Sequence, residues 1–163
     1  MKTVLAPIDF SDSSRRVIDE AIHLARSIGG RLVLLHIVGP TSAFPSEFDS
    51  TGARAAYLAE AEKHARDELS ALQRSLRDEG VTAHVVHLIA QPGPGILEQA
   101  DRLEADYIVM GSHGHGAFYE LIVGGTASRV LKLAKCPVVI VPSQAKKSAR
   151  SGRSVTAANR ATG

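Results

Sequence analysis

Tyr107-Ile-Val-Met-Gly111-Ser-His-Gly114-His-Gly-Ala-Phe-Tyr-Glu-Leu-Ile-Val-Gly124-Gly125-Thr126 runs from an apolar strand to a helix start through glycines spaced G-x2-G-x9-G. The spaced glycines are Gly111, Gly114 and Gly124. Glycine serves where a chain must turn with positive φ or approach a ligand closely. A helix start adds unpaired N–H groups and a positive dipole end, which suit an anion such as phosphate. The stretch therefore predicts a strand–loop–helix unit that holds a phosphorylated ligand.

The same alternation extends in both directions. Thr3–Ile8, Arg31–Val38, Ala83–Ile89, Tyr107–Met110 and Val138–Val141 are nearly continuous in Val, Leu and Ile. Such runs suit parallel strands covered on both faces. Between them lie helical patterns. Val17, Ile18, Ala21, Ile22, Ala25 and Ile28 recur at three-four spacing before Gly29-Gly30. Leu58, Ala61, Ala65, Leu69, Leu72 and Leu76 do the same up to Gly80. Ile96, Leu97, Ala100 and Leu103 mark a third helix, with Pro94 in its first turn, and Val130, Leu131 and Ala134 a fourth. The order β-α-β-α-β-α-β-α-β predicts a single-domain α/β fold, an open five-stranded parallel sheet with helices on both faces. One long connection, Gly39–Gly52, carries Phe44 and Phe48 and reads as a crossover loop or a lid.

Composition bounds the function. With 163 residues, 44% hydrophobic and 4% aromatic, the chain suits one aliphatic core. A single cysteine, Cys136, allows no internal disulfide and reads as a structural thiol. No apolar run is long enough to span a bilayer and no signal-peptide layout is present, so a cytoplasmic location is expected. The formal charge of +2 is unevenly placed: Lys146, Lys147, Arg150, Arg153 and Arg160 follow Ser143 with no acid among them. Met1–Pro142 holds 14 Lys and Arg against 17 Asp and Glu, a net −3. Residues 143–163 read as a basic, disordered extension, so neither nucleic-acid nor membrane binding is expected of the domain.

Ligands of open α/β sheets bind beyond the carboxyl ends of the strands, where strand order reverses. The first strand delivers Pro7-Ile8-Asp9 to that edge, with Ser11 as candidate N-cap of the next helix and Ser14 after it. Asp9 could meet a ribose, help to hold Mg²⁺, or simply tie down the turn. Asp-Phe-Ser-Asp-Ser-Ser after this strand is not the dinucleotide fingerprint, and no G-x4-G-K-[ST] occurs. His113-Gly-His115 lacks partners at metal spacing, His36 reads as a hydrogen-bonded core histidine, and His84 and His87 fall on opposite faces of their strand.

Pro7-Ile8-Asp9-Phe-Ser, Tyr107-Ile-Val-Met-Gly-Ser-His-Gly114, the glycine spacing and Cys136-Pro-Val-Val-Ile-Val together resemble the universal stress protein family. The resemblance runs over residues 1–142. It implies a flavodoxin-like sheet with the first and fourth strands adjacent, and a homodimer through the last strand, Pro137 to Val141. In the family's ATP-binding branch the glycine loop cradles phosphates and the first strand's Asp lies by the ribose or metal. Carried onto this chain, the nucleotide site comprises Pro7, Ile8, Asp9, Val38, Met110, Gly111, His113, Gly114, Gly124, Gly125 and Thr126, with Val38 near the adenine. ATP, or AMP or ADP, is the implied ligand and Mg²⁺ the possible companion. One departure stands out: the family has Ser or Thr after the third glycine, whereas this chain has Gly125, then Thr126.

The expectation is a dimeric, stress-linked sensor or switch that binds ATP and works with a protein partner. No Ser-His-Asp order, paired carboxylates or nucleophile elbow is visible, so efficient catalysis is not expected. A scaffold without nucleotide, and a slow hydrolase or autophosphorylating protein, are the alternatives.

Overall fold

The computed structural model describes residues 1–39, 51–112 and 124–142, apart from the side chains at 51, 53 and 54. Nine elements alternate: β1 (Thr3–Ile8), α1 (Ser14–Ser27), β2 (Arg31–Val38), α2 (Thr51–Asp78), β3 (Ala83–Ile89), α3 (Pro92–Arg102), β4 (Tyr107–Gly111), α4 (Gly125–Leu133) and β5 (Val138–Val141). The strands form one parallel sheet in the order β3-β2-β1-β4-β5. The predicted neighbours β1 and β4 are paired, Val4 opposite Tyr107 and Leu5 opposite Ile108.

Period-two alternation divides the core between the two faces of the sheet. Val4, Ala6, Ile8, Leu32 and Leu34 pack against Val17, Ile18, Ala21 and Ile22 of α1 and Leu69 and Leu76 of α2. Leu5, Val33, Leu35, Ile108 and Met110 pack against Ile96 and Ala100 of α3 and Ala127 and Val130 of α4. Ten of the large side chains, Leu5, Leu34, Leu35, Leu76 and Ile108 among them, are fully buried. Each such burial stabilises the fold by about 1.5–3 kcal/mol before entropy is counted, which is why the central strands carry the uninterrupted aliphatic runs.

The helix ends follow their punctuation. Gly29 (φ 60°) and Gly80 (φ 74°) take the left-handed turns that close α1 and α2. The starts differ from expectation at two places. α1 begins at Ser14 with Ser13 at the N-cap position, and the Ser11 side chain is instead drawn to Asp9. α2 begins at Thr51, a full two turns before Leu58, because Ala55, Ala56, Ala59 and Ala61 favour helix without needing a buried face. Among its described residues only Ala65, Leu69 and Leu76 are buried. The last strand also departs from a buried-strand reading: β5 is the sheet edge, and Val138, Val139 and Ile140 are half-buried. Phe44, Phe48, His115 and the segment 143–163 lie outside the described residues.

Candidate functional site

The strand order turns about β1 and β4, and a cavity of about 450 Å³ opens at their carboxyl ends. The end of β1 contributes Pro7 and Ile8, with Asp9 just after it, and the end of β4 contributes Met110 and Gly111, with Ser112 just after it. Gly124, Gly125, Thr126 and Ala127 form the opposing wall at the start of α4. Ser13, Ser14 and Val17 of α1, Leu35 and Ile37 of β2, and Pro92 and Ile96 of α3 complete the lining.

The Asp9 carboxylate is oriented by the turn that it closes. Its Oδ1 accepts the Ser11 amide at 3.1 Å, the Ser11 hydroxyl at 2.6 Å and the Ser14 hydroxyl at 3.0 Å. Since Ser11 donates to Asp9, the Ser13 hydroxyl must donate to Ser11 Oγ, 2.9 Å away. The turn-tying role foreseen for Asp9 is thus filled, while the side chain stays exposed at the cavity wall. Phe10, next in sequence, sits in the left-handed region at φ 58°, a strain of about 1–3 kcal/mol for a bulky residue. Its ring rests against His36 with centroids 4.7 Å apart.

At the other wall, Gly124 occupies the N-cap of α4 with φ −56° and ψ 158°, and no side chain caps it. This glycine is not demanded by backbone strain, so close approach is the property left to explain it. A Cβ placed on Gly125 would meet nothing within 4 Å. Thr126 lies inside the first turn of α4, not at its cap, and lines the cavity. The first-turn N–H groups and the dipole of α4 thus face a space that holds one acidic side chain and no Lys, Arg or His among the described residues.

Of the residues singled out in the sequence, Pro7, Ile8, Asp9, Met110, Gly111, Gly124, Gly125 and Thr126 come together here. Val38 does not line the cavity: its carbonyl accepts the Ala90 amide at 3.0 Å. Odd-numbered residues of β2 face α3, so Ile37 is the one turned toward the cleft, held against Gly95, where any Cβ would approach Ile37 Cδ1 to 2.9 Å. His113 and Gly114 lie outside the described residues. Ser13, Ser112, Ile37 and Ile96 were not anticipated; the serine-rich turn after β1 was the available signal for the first, whereas Ile37 and Ile96 look like any other core residue in sequence.

The remaining candidates fall elsewhere. His36 Nδ1 donates to the Ile8 carbonyl at 2.9 Å, the hydrogen bond expected of it, although the ring is half-buried. His87 stacks on it with centroids 6.0 Å apart, and burial together with His36 holds its pKa below the ordinary value of 6.5. Burial raises the pKa of the Cys136 thiol, which disfavours the reactive thiolate. No group of three or more metal-ligating side chains exists among the described residues. No described helix is long and apolar enough to cross a membrane.

Fold and cavity define the class: a flavodoxin-like α/β protein with an anion-suited cleft at its topological switch point. The universal stress protein family model matches residues 1–142, and the chain belongs to that family. It is 34% identical over 140 residues to a universal stress protein of Thermus aquaticus, covering 86% of this chain and 98% of the relative. Universal stress protein UspA from Lactobacillus plantarum superposes with a TM-score of 0.75 at 24% identity, over 86% of this chain and 97% of its own. The universal stress protein from Archaeoglobus fulgidus in complex with dAMP does so with a TM-score of 0.59 at 24% identity, over 86% and 97%.

Proposed function

We propose that the protein binds an adenine nucleotide, ATP before AMP or ADP, in the β1/β4 cleft and acts as a dimeric sensor or switch. One observation carries this reading: the uncapped amino end of α4, opened by Gly124-Gly125, faces Asp9 across a cavity of about 450 Å³. That volume falls within the roughly 300–1,000 Å³ of small-molecule sites. Apolar side chains (Ile8, Ile37, Ile96, Met110) offer a wall for a base, and amides at Gly124–Thr126 offer donors for phosphate. The dAMP complex of the Archaeoglobus fulgidus neighbour adds support from a protein of the same fold.

Mg²⁺ commonly binds through one or two carboxylates plus substrate phosphates, so Asp9 alone suffices on the protein side. Here it would share the ion with the nucleotide. A ligand that orders the glycine loop shifts a population toward one surface, which a partner protein can read. The open edge of β5, with half-buried Val138, Val139 and Ile140, suits pairing with a second copy.

Gly125 supports a second reading, a scaffold without nucleotide, because it removes a hydroxyl from the phosphate wall. Calorimetric titration of ATP, with AMP as comparator and Mg²⁺ present, separates the two. Micromolar binding that favours ATP supports the sensor; absence of binding up to millimolar ligand supports the scaffold.

A further inference from the structure

We propose that Gly95, in the first turn of α3, is a positioning residue for the base of the nucleotide: its missing side chain lets Ile37 lie back and keeps that end of the cleft open. The inference rests on the nucleotide reading above and deepens it. The cleft lining divides by chemistry. Its polar side chains, Asp9, Ser13, Ser14, Ser112 and Thr126, stand after β1 and β4 and at the starts of α1 and α4. The wall from β2 and α3, made of Leu35, Ile37, Pro92 and Ile96, is apolar throughout. Phosphates belong with the first group, and a flat ring belongs against the second.

Packing at the apolar wall leaves no room for a side chain at position 95. Gly95 is buried, and its amide donates to the Gln91 carbonyl at 2.9 Å, which fixes it in the helix. A Cβ there would stand 2.9 Å from Ile37 Cδ1 and 3.2 Å from Ala90 Cβ. Carbon atoms pack at about 3.5–4.0 Å, so a neighbour has to move. Ala90 has no side-chain torsion to turn, and its amide is tied to the Val38 carbonyl at 3.0 Å. Ile37 Cδ1 is the free end of a side chain that rotates. Buried Leu35 and Ile96 fill the interior on this face of the sheet, and the open space is the cavity that Ile37 lines. A methyl group at position 95 therefore turns Ile37 into the cleft. Ile37 Cγ1 stands 4.0 Å from the same point, an ordinary contact, so on this side chain the conflict lies with Cδ1 alone.

Gly93, two residues earlier and also buried, supplies the contrast. A Cβ there would meet Arg129 Cδ at 2.8 Å, and Arg129 is exposed and lies outside the cleft lining. Both substitutions to Ala stiffen the same helix turn, but only the one at position 95 reaches the ligand.

The test uses the full chain. Adenosine, AMP and ATP are titrated calorimetrically into the parent, Gly95→Ala, Gly93→Ala, Ile37→Val and Gly95→Ala/Ile37→Val. Gly95→Ala is expected to stay folded, since Ala favours helix over Gly, and to bind all three ligands about tenfold more weakly. The loss is equal because it falls on the base that the ligands share. On the Ile37→Val background, which lacks Cδ1, the same substitution is expected to cost less than about twofold. Gly93→Ala is expected to match the parent. Parent-like binding by Gly95→Ala overturns the proposal, as does an equal loss on both backgrounds, a matching loss in Gly93→Ala, or a loss that grows with the number of phosphates. A Gly95→Ala chain that fails to fold overturns it too, because Ile37 would not have given way. A parent that binds none of the ligands refutes the nucleotide reading itself, and this proposal with it.

Discussion

His36 Nδ1 lies 2.9 Å from the Ile8 carbonyl oxygen, joining the end of β2 to the last residue of β1. A carbonyl can only accept, so Nδ1 carries the proton in either charge state of the ring. The bond fixes the strand just before Asp9, and the same ring backs the strained Phe10. The Asp9 turn is thus held from two sides: by Ser11 within the turn and Ser14 at the start of α1, and by a histidine of the neighbouring strand.

Asp9 has two separable duties, one in the turn and one proposed toward ligand. Asp9→Ala removes the acceptor of three hydrogen bonds, two of them open to solvent, and should cost about 0.5–1.5 kcal/mol of stability, read from denaturant unfolding. Asp9→Asn keeps an acceptor oxygen and should cost less, yet lose whatever part of ATP affinity depends on Mg²⁺. Mg²⁺-dependent binding that survives in Asp9→Asn would remove the carboxylate from the site.

Gly124→Val and Gly114→Val should abolish nucleotide binding with little change in far-UV circular dichroism. At Gly124 the backbone, with φ −56°, accepts any residue, so the loss would come from the side chain intruding on the amide cradle. Binding equal to the parent in both variants would refute the glycine-loop assignment.

Gly125→Ser tests the missing hydroxyl directly. The new Cβ meets nothing within 4 Å and stands at the first residue of α4, so the fold should tolerate it. A regained charge-assisted hydrogen bond of about 1.5–3 kcal/mol should tighten ATP binding by tenfold or more in calorimetry. No gain would mean that Thr126 or the amides alone already serve the phosphates.

Acidification should destabilise the fold through His87. Its Nε2 is buried without a partner, and its ring faces His36 of β2 and, across the helix–sheet layer, Glu62 and Arg66 of α2. Burial lowers the folded-state pKa below 6.5, with His36 and Arg66 acting in the same sense and Glu62 against them. Below 6.5 the unfolded chain takes up a proton that the folded chain refuses, so stability falls from there down to the folded-state value. His87→Phe should flatten this part of the stability–pH profile in chemical denaturation; an unchanged slope would clear His87 of the effect.

The proposed dimer can be tested at the edge of β5. The Pro137 and Val141 carbonyls accept from Ile108 and Ser112 of the β4 side, so by alternation the polar groups of Ile140 point outward. Ile140→Pro removes that outward donor and leaves the ladder to β4 intact. Sedimentation equilibrium should then show a monomer where the parent is a dimer, and a dimeric variant would place the interface elsewhere.

The aliphatic runs and the glycine punctuation by themselves determined the element order, the parallel sheet and the cleft-forming ends of β1 and β4, because burial and left-handed turns act on residue type locally. Eight of the residues chosen from sequence line the cavity for the same reason: each is adjacent in the chain to a strand end or a helix start. Tertiary structure decided what depends on facing. Ile37 and not Val38 turns to the cleft, since a strand's faces alternate and only the packing of α3 shows which face is which. Likewise His36 and His87, fifty-one residues apart, become neighbours only through the β2–β3 register. The acid that closes the Asp9 turn was legible; the donors converging on it were fixed by the fold.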